Sequence, residues 1–355
     1  MAPTLWPRTV LIAAILATSA LHARAQLSAQ AISPQSTIVL PLELAAGQRA
    51  TLAVLSPAGR IVPGIKLVLS DGEVVTTDES GRAHFLAPRD VGIVIARIPG
   101  TETRAAADVV VRTDAKDVKV RRVPAVASLK DRFTIDGNGF QGDADRNYID
   151  LAGKPAFVLA ASPKELVILA SPQIAPGKVR IVVKTGTQEA SAELALVDVA
   201  PDALHSGVRP GKTVKFVLHV RGTGQPVDLD VQNMSPEIAR FKHGGREHLR
   251  TRGEADNSAE IEVKGMRPGE FSYAVRFRPS PRTGNEDAAR DFLQAAHKLA
   301  NADERKRIDK VLAKLGPRKT DIAQARKEFA KIPAANSDGD FQAMIRAAGE
   351  ALNGQ

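Results

Sequence analysis

From residue 37 onward, short runs of apolar residues, many alternating with polar ones, follow one another at strand length. They occupy 37–44, 48–55, 65–69, 73–77, 82–86, 91–98 and 107–113. Turn-forming residues separate them: Ala46-Gly47, Pro57-Ala58-Gly59, Pro63-Gly64, Asp71-Gly72, Ser80-Gly81 and Pro99-Gly100. Short strands with β-branched residues and Gly/Pro punctuation predict a β-sandwich over residues 37–115. Ser70-Asp71-Gly72-Glu73 joins two of the runs as a tight hairpin, because Asp-Gly supplies the positive φ values such a turn needs. After a charged joint at 116–123 the texture repeats over 120–199, with strand-like runs at 133–135, 148–151, 166–168, 178–184 and 189–197. A third β region, 201–280, has runs at 213–220, 227–231, 238–241, 259–263 and 270–277, and an immunoglobulin-like sandwich is its default reading.

Beyond Pro279-Ser280-Pro281 the period changes from two to 3.6. Asn285 can cap a helix with Glu286 and Asp287 in its first turn. Ala288, Phe292, Ala295 and Leu299 then recur at helical spacing. Further stripes follow over 303–315 (Ile308, Val311, Leu315), 321–332 (Ala325, Phe329, Ile332) and 339–352 (Phe341, Ile345, Ala348, Leu352). Short amphipathic helices with tight connections predict a small helical bundle over 285–355, standing alone or docked on the third β region or on a partner protein. The fold class is therefore mainly β: tandem immunoglobulin-like sandwiches followed by a small C-terminal helical domain.

The first 25 residues have a different character. Arg8 precedes the apolar run 10–21, and Ala23-Arg24-Ala25 is an A-x-A cleavage site ahead of Gln26. That run falls short of the roughly 18–20 residues that span a bilayer. Residues 1–25 are expected to be a cleaved secretory signal and 26–36 a flexible linker, which implies a secreted, periplasmic or cell-surface protein with no transmembrane span in the mature chain. Removing Arg8 and Arg24 lowers the formal charge from +9 to +7, an excess that favours acidic polymers or surfaces without fixing a fold. The absence of cysteine excludes disulfides and Cys-based zinc or nucleophile chemistry. The only Trp is Trp6, inside the leader, which leaves Tyr148 and Tyr273 as the mature chain's sole Tyr or Trp rings. That scarcity weakens ring-stacking platforms for sugars and for single-stranded nucleic acid, and no nucleic-acid partner is expected.

Two stretches carry family resemblances. Gly59, then Pro63-Gly64-Ile65-Lys66-Leu67-Val68-Leu69, then Thr77-Asp78-x-x-Gly81-x-x-x-Phe85, resembles bacterial Ig-like and carboxypeptidase-regulatory-like domains, which are spacers or adhesive modules without catalytic residues. In that turn Asp78 is suited to cap the chain and Gly81 to take the left-handed position. Residues 120–199 resemble an IPT/TIG domain. The matching features are Phe133-Thr134-Ile135-Asp136-Gly137-Asn138-Gly139-Phe140, Leu166-Val167-Ile168 with Pro172, Pro176-Gly177 ahead of a β run, and the closing hairpin around Gly186. Gly137 and Gly139 permit the corner, and Phe140 can fold back beneath it as a core plug.

Candidate chemistry is sparse. Asp143, Asp145 and Asn147 fall at alternating positions, as calcium ligands do, with Asp150 nearby. Tyr148 stands where a calcium loop of that register needs Gly, however, and Lys154 where it needs Glu, so a solvated loop is expected and no metal or cofactor. The stretch 240–252 concentrates Arg240, Lys242, Arg246, Arg250 and Arg252 with His243 and His248. It suits either an acidic polysaccharide or phosphate-rich surface, or a solvated basic strand edge that blocks edge-to-edge pairing. No G-x-S-x-G elbow, P-loop or H-E-x-x-H string is present, and no G-x-G-x-x-G stands between a strand and a helix, since Gly137-x-Gly139 is followed by an aromatic and a strand. These residues predict an exported, non-enzymatic protein for binding, adhesion or assembly, with a protein or acidic glycan partner at the envelope. The rival readings are an acidic-glycan accessory module using the basic stretch, and an enzyme whose site leaves no sequence motif.

Overall fold

The computed structural model describes residues 36–353 apart from 58, 113, 116, 202–208, 243, 255, 270, 279–284, 317–318 and 333–335. The leader, almost all of the lead-in, His243 and the Pro279-Ser280-Pro281 break lie outside the described residues. Three β-sandwiches and four helices account for the rest.

The first sandwich comprises β1 (Thr37–Val39), β2 (Glu43–Ala45), β3 (Arg49–Leu55), β4 (Lys66–Leu69), β5 (Val74–Thr76), β6 (Arg82–Leu86), β7 (Gly92–Arg97) and β8 (Arg104–Val110). The expected run 37–44 is two strands in two different sheets, broken around Pro41. β1 lies antiparallel to β3, whereas β2 lies parallel to β8. One sheet is β1-β3-β6 and the other β2-β8-β7-β4-β5, closing on a core that includes Leu44, Leu52, Leu67, Leu69 and Ile98. The Thr77–Phe85 turn forms as its residues predict. Asp78 Oδ1 accepts from the N–H groups of Ser80 (2.8 Å) and Arg82 (3.2 Å), and Gly81 has φ +65°.

The second sandwich comprises β9 (Lys119–Arg122), β10 (Val126–Ser128), β11 (Arg132–Asn138), β12 (Asn147–Leu151), β13 (Lys154–Ala161), β14 (Glu165–Leu169), β15 (Gly177–Thr185) and β16 (Gln188–Pro201). The charged joint is a correction: Lys119–Arg122 is an edge strand paired with β11. β13 serves both sheets, pairing with β12 through Lys154–Ala156 and with β14 through Phe157–Ala161 across a bulge. Phe140 is buried as the core plug. Gly137 is needed for space rather than for a bend, since a Cβ there would lie 2.4 Å from the Phe140 ring and 2.2 Å from the Lys119 carbonyl.

The third sandwich comprises β17 (Thr213–Arg221), β18 (Asp228–Asn233), β19 (Ala239–Phe241), β20 (Arg246–Arg250), β21 (Ser258–Gly265) and β22 (Tyr273–Arg278). It has no separate first strand. The end of β16, Asp198–Pro201, pairs with β17, so the expected boundary at 199–201 falls inside one continuous strand. Its sheets are β16-β17-β21-β19 and β20-β18-β22.

The helices are α1 (Glu286–Leu299), α2 (Ala302–Lys314), α3 (Ile322–Phe329) and α4 (Gly339–Asn353), close to the predicted spans. Asn285 caps α1, and Asn301 and Glu304 form a reciprocal capping box on α2. The chain folds back to place them on the first sandwich, not on the third. Ala106 of β8 and Leu42 join the helical core of Phe292, Ile308 and Phe341, with Ile93 and Ile95 of β7 packed against it. β7 and β8 are thereby covered on both faces, with Ala105 and Ala107 toward the sandwich core and the small Ala106 toward the helices.

Candidate functional site

The Asp143–Asn147 loop is a latch between the first two sandwiches. Asp143 caps a 3-10 turn at Ala144–Arg146, and Asn147 bonds Gln141 O, Asp143 O and Thr185. Asp145 accepts a 2.6 Å ion pair from Arg82 of β6. The buried Arg82 side chain also donates to Val158 O of β13 at 3.2 Å and lies 4.9 Å from the centre of the Phe157 ring. Thr51 of β3 donates to Gly142 O at 2.6 Å and accepts from Ala144 N at 3.1 Å. Gly142 rests on β3 so closely that a Cβ would lie 1.6 Å from Arg49 O. His84, Asp143 and Asp145 bring one ligand atom each within 4.8 Å of one another, but Arg82 already neutralises Asp145, and Arg146 lies 3.7 Å from Asp143. The acidic residues of this loop serve assembly.

The five basic residues of 240–252 do not share one face. Arg240 and Lys242 belong with β19, where Lys242 meets Glu262 of β21 at 3.3 Å; Arg252 meets Glu260 of the same strand at 3.3 Å. Arg246 and Arg250 lie on β20 in the opposite sheet, 3.4 Å from Asp230 and 3.2 Å from Asp228. His248 also reaches Asp230, at 3.3 Å. Four of the five thus carry an acidic neighbour from an adjacent strand.

A third feature had no motif in the sequence. The outer face of β9, β11 and β14 turns toward the first sandwich and carries Arg122, Asp136 and Glu165 side by side. Fully buried Glu165 accepts the Glu43 N–H at 3.1 Å, and Ser162 Oγ donates to Glu43 O at 2.6 Å. Burial, with Asp136 nearby, drives the Glu165 pKa well above the usual carboxylate range. Burial also raises Asp136 to about 6 against the opposing pull of Arg122. On the helical side, Asp108 of β8 faces Asp291 of α1; burial first and Asp291 second raise Asp108 to about 7.

Beside this polar junction a cleft of about 360 Å³ opens among all four modules. β1 and β8 form one side, β10 and β11 another, α4 contributes Ala343, Arg346 and Ala347, and the third sandwich reaches in with Phe277. Arg104 is bound to α4 through Asp340, 3.2 Å from its Nε, and Arg346 donates to Arg104 O at 3.2 Å. The cleft is assembled from positions scattered between Ser36 and Glu350, so no local spacing announces it.

No protein-family model matches the chain, and no curated protein matches it in sequence. Solved structures match at low identity. The surface layer protein SbsC, domains 1–6, is 14% identical over 68% of this chain, with a TM-score of 0.18; the matched part is 38% of that chain. The SGBP-B protein of the Bacteroides ovatus mixed-linkage glucan utilization locus is 12% identical over 67% of this chain and 70% of that one, with a TM-score of 0.26. The N-terminal four Ig domains of Dscam1 are 15% identical over 66% of this chain and 72% of that one, with a TM-score of 0.22. At these scores the likeness carries no inference about ligand or partner. No helix among the described residues is long and apolar enough to cross a membrane.

Proposed function

We propose that this is an exported, non-catalytic scaffold for binding or assembly at the cell envelope or outside the cell, with its second sandwich of the IPT/TIG type. The observation that carries this reading is how the buried polar groups are used. Buried Arg82, Thr51, Ser162 and Glu165 and half-buried Arg104 all hold one module to another. Together they fix the first sandwich, the second sandwich and the helices relative to one another, which is what a rigid binding scaffold needs.

The test is to express the full chain with its leader in a bacterial host, fractionate the cells and sequence the N-terminus. A mature chain starting at Gln26 that sediments with envelope material supports the reading. An uncleaved chain confined to the cytoplasm overturns it.

A second reading has a specific observation in its favour. Arg246, His248 and Arg250 alternate along β20, so they project from one outer face of the third sandwich. That strip suits an acidic polysaccharide, with Arg240, Lys242 and Arg252 contributing from the other sheet only to a ligand long enough to wrap the edge. Binding that falls steeply between low and physiological salt, and disappears in R246E/R250E, supports it; binding unchanged by that double substitution rules it out.

A further inference from the structure

We infer that the four-module cleft binds a small organic anion, a carboxylate or phosphate group on an apolar body, with the Arg132 guanidinium as its counter-ion. The other arginines around the junction are spoken for. Arg104 has Glu102 and Asp340, Arg346 has the Arg104 carbonyl and the neighbouring Glu350, and Arg122 has Asp136 at 3.0 Å. Arg132 is half-buried in the cleft wall, and its side chain makes no ion pair or hydrogen bond among the described residues. Among the described residues no acid or carbonyl stands against that guanidinium, so an anion placed there gains a charge-assisted, bidentate partner that no group of the protein already occupies.

The rest of the cleft fits the same ligand. Thr134 lies two residues along the same face of β11 and adds a hydroxyl beside Arg132. Leu40, Val126, Phe277, Ala343 and Ala347 supply apolar wall for the ligand's body. The acids present are engaged elsewhere: Glu102 with Arg104, Glu350 beside Arg346, Asp131 with the Arg132 backbone N–H at 2.8 Å, and Glu165 with Glu43. A volume of about 360 Å³ at a domain junction falls within the range of small-molecule sites. An occupant would touch all four modules at once and so raise the melting temperature of the whole chain by mass action. This assignment is independent of where the protein resides or what it assembles with.

The test uses the full chain with octanoate, octyl phosphate and octanol, read by calorimetric titration and thermal melting. Saturable one-to-one binding of octanoate or octyl phosphate, with a raised melting temperature and at least tenfold weaker octanol binding, is the expected result. Whichever anion binds more tightly identifies the ligand's head group. R132Q should weaken anion binding at least tenfold, whereas R180Q, on an exposed arginine of β15 outside the cleft, should leave it unchanged. V126E, which brings a carboxylate into the cleft while keeping Arg132, should also abolish binding and covers the case in which R132Q does not fold. Absence of saturable binding by either anion, octanol binding as tightly as the anions, or wild-type anion affinity in R132Q or V126E would overturn the inference.

Discussion

Glu165 Oε2 of β14 accepts the backbone N–H of Glu43 of β2 at 3.1 Å, across the boundary between the first two sandwiches. The adjacent Leu42 buries its side chain in the helical core, and its carbonyl accepts the Asp108 N–H at 2.8 Å. Two consecutive residues therefore touch three modules. Removing the Glu165 acceptor leaves a buried N–H without a partner, so E165A should lose about 1–3 kcal/mol. E165Q keeps a neutral acceptor of the same shape and should stay within about 1 kcal/mol of wild type. Urea denaturation measures both, and equal losses in the two variants would refute the account.

Arg82 is the buried bolt of the same boundary. R82A strands the Val158 carbonyl and removes the contact with Phe157, at a cost of about 2–4 kcal/mol. The Asp145 side chain is 66% exposed and can turn to water, so D145N should cost under about 1 kcal/mol. A double-mutant cycle reads the coupling. R82A losing no more stability than D145N would contradict the bolt.

Gly142 has no room for a side chain. G142A drives a Cβ into the Arg49 carbonyl, forcing the latch loop off β3. Hydrogen exchange should speed up at Ala144, whose N–H bonds Thr51, while the first-sandwich core stays protected. Unchanged exchange at Ala144 would show that the loop is not seated as described.

Helix docking should depend on the protonation of Asp108, which faces Asp291 across the sandwich–helix boundary. The Asp108 pKa is raised from 3.8 to about 7 in the folded protein by burial and by Asp291, so folding favours the protonated form. Its stabilisation is complete below pH 4 and is lost as pH rises through 7. Asp136, raised to about 6, acts in the same direction. The melting temperature should fall between pH 5 and about 7.5, and D108N should flatten that decline. A D108N profile as steep as wild type would exclude Asp108 as its source.

The helices and the first sandwich should fold as one unit, because their core is shared. F341A should cost about 3–5 kcal/mol and raise protease sensitivity at β7 as well as in α4. Cleavage confined to the helices would argue for separate units.

The helices were legible because Phe292, Ile308 and Phe341 recur on single faces, and the Thr77–Phe85 turn because Asp78 and Gly81 have narrow conformational roles. β9 was not, since Lys119, Arg121 and Arg122 mask a strand that only its pairing with β11, including the Arg122–Asp136 ion pair, reveals. The docking of the helices was hidden in Arg104–Val110. A run of Ala105, Ala106 and Ala107 fits a strand covered on both faces as well as a weak one with a single covered face. The acidic loop was expected to be solvated, and its role as a latch could not be read because its partners Arg82 and Thr51 lie more than 60 residues away. Arg132 and Glu165 stand in ordinary strand patterns. Only the assembled junction distinguishes a cation without a partner from one that has found its acid.

β16 gives the molecule a mechanical property. It is bonded to β15 from Gln188 to Leu196 and to β17 from Asp198 to Pro201, with no loose residues between. Tension applied to the far ends of the second and third sandwiches runs along this one strand and sets its ladder hydrogen bonds in shear. A flexible linker would stretch first and leave each sandwich untouched. Here the joint is itself paired on both sides, so it has no slack to take up before the sheets feel the load.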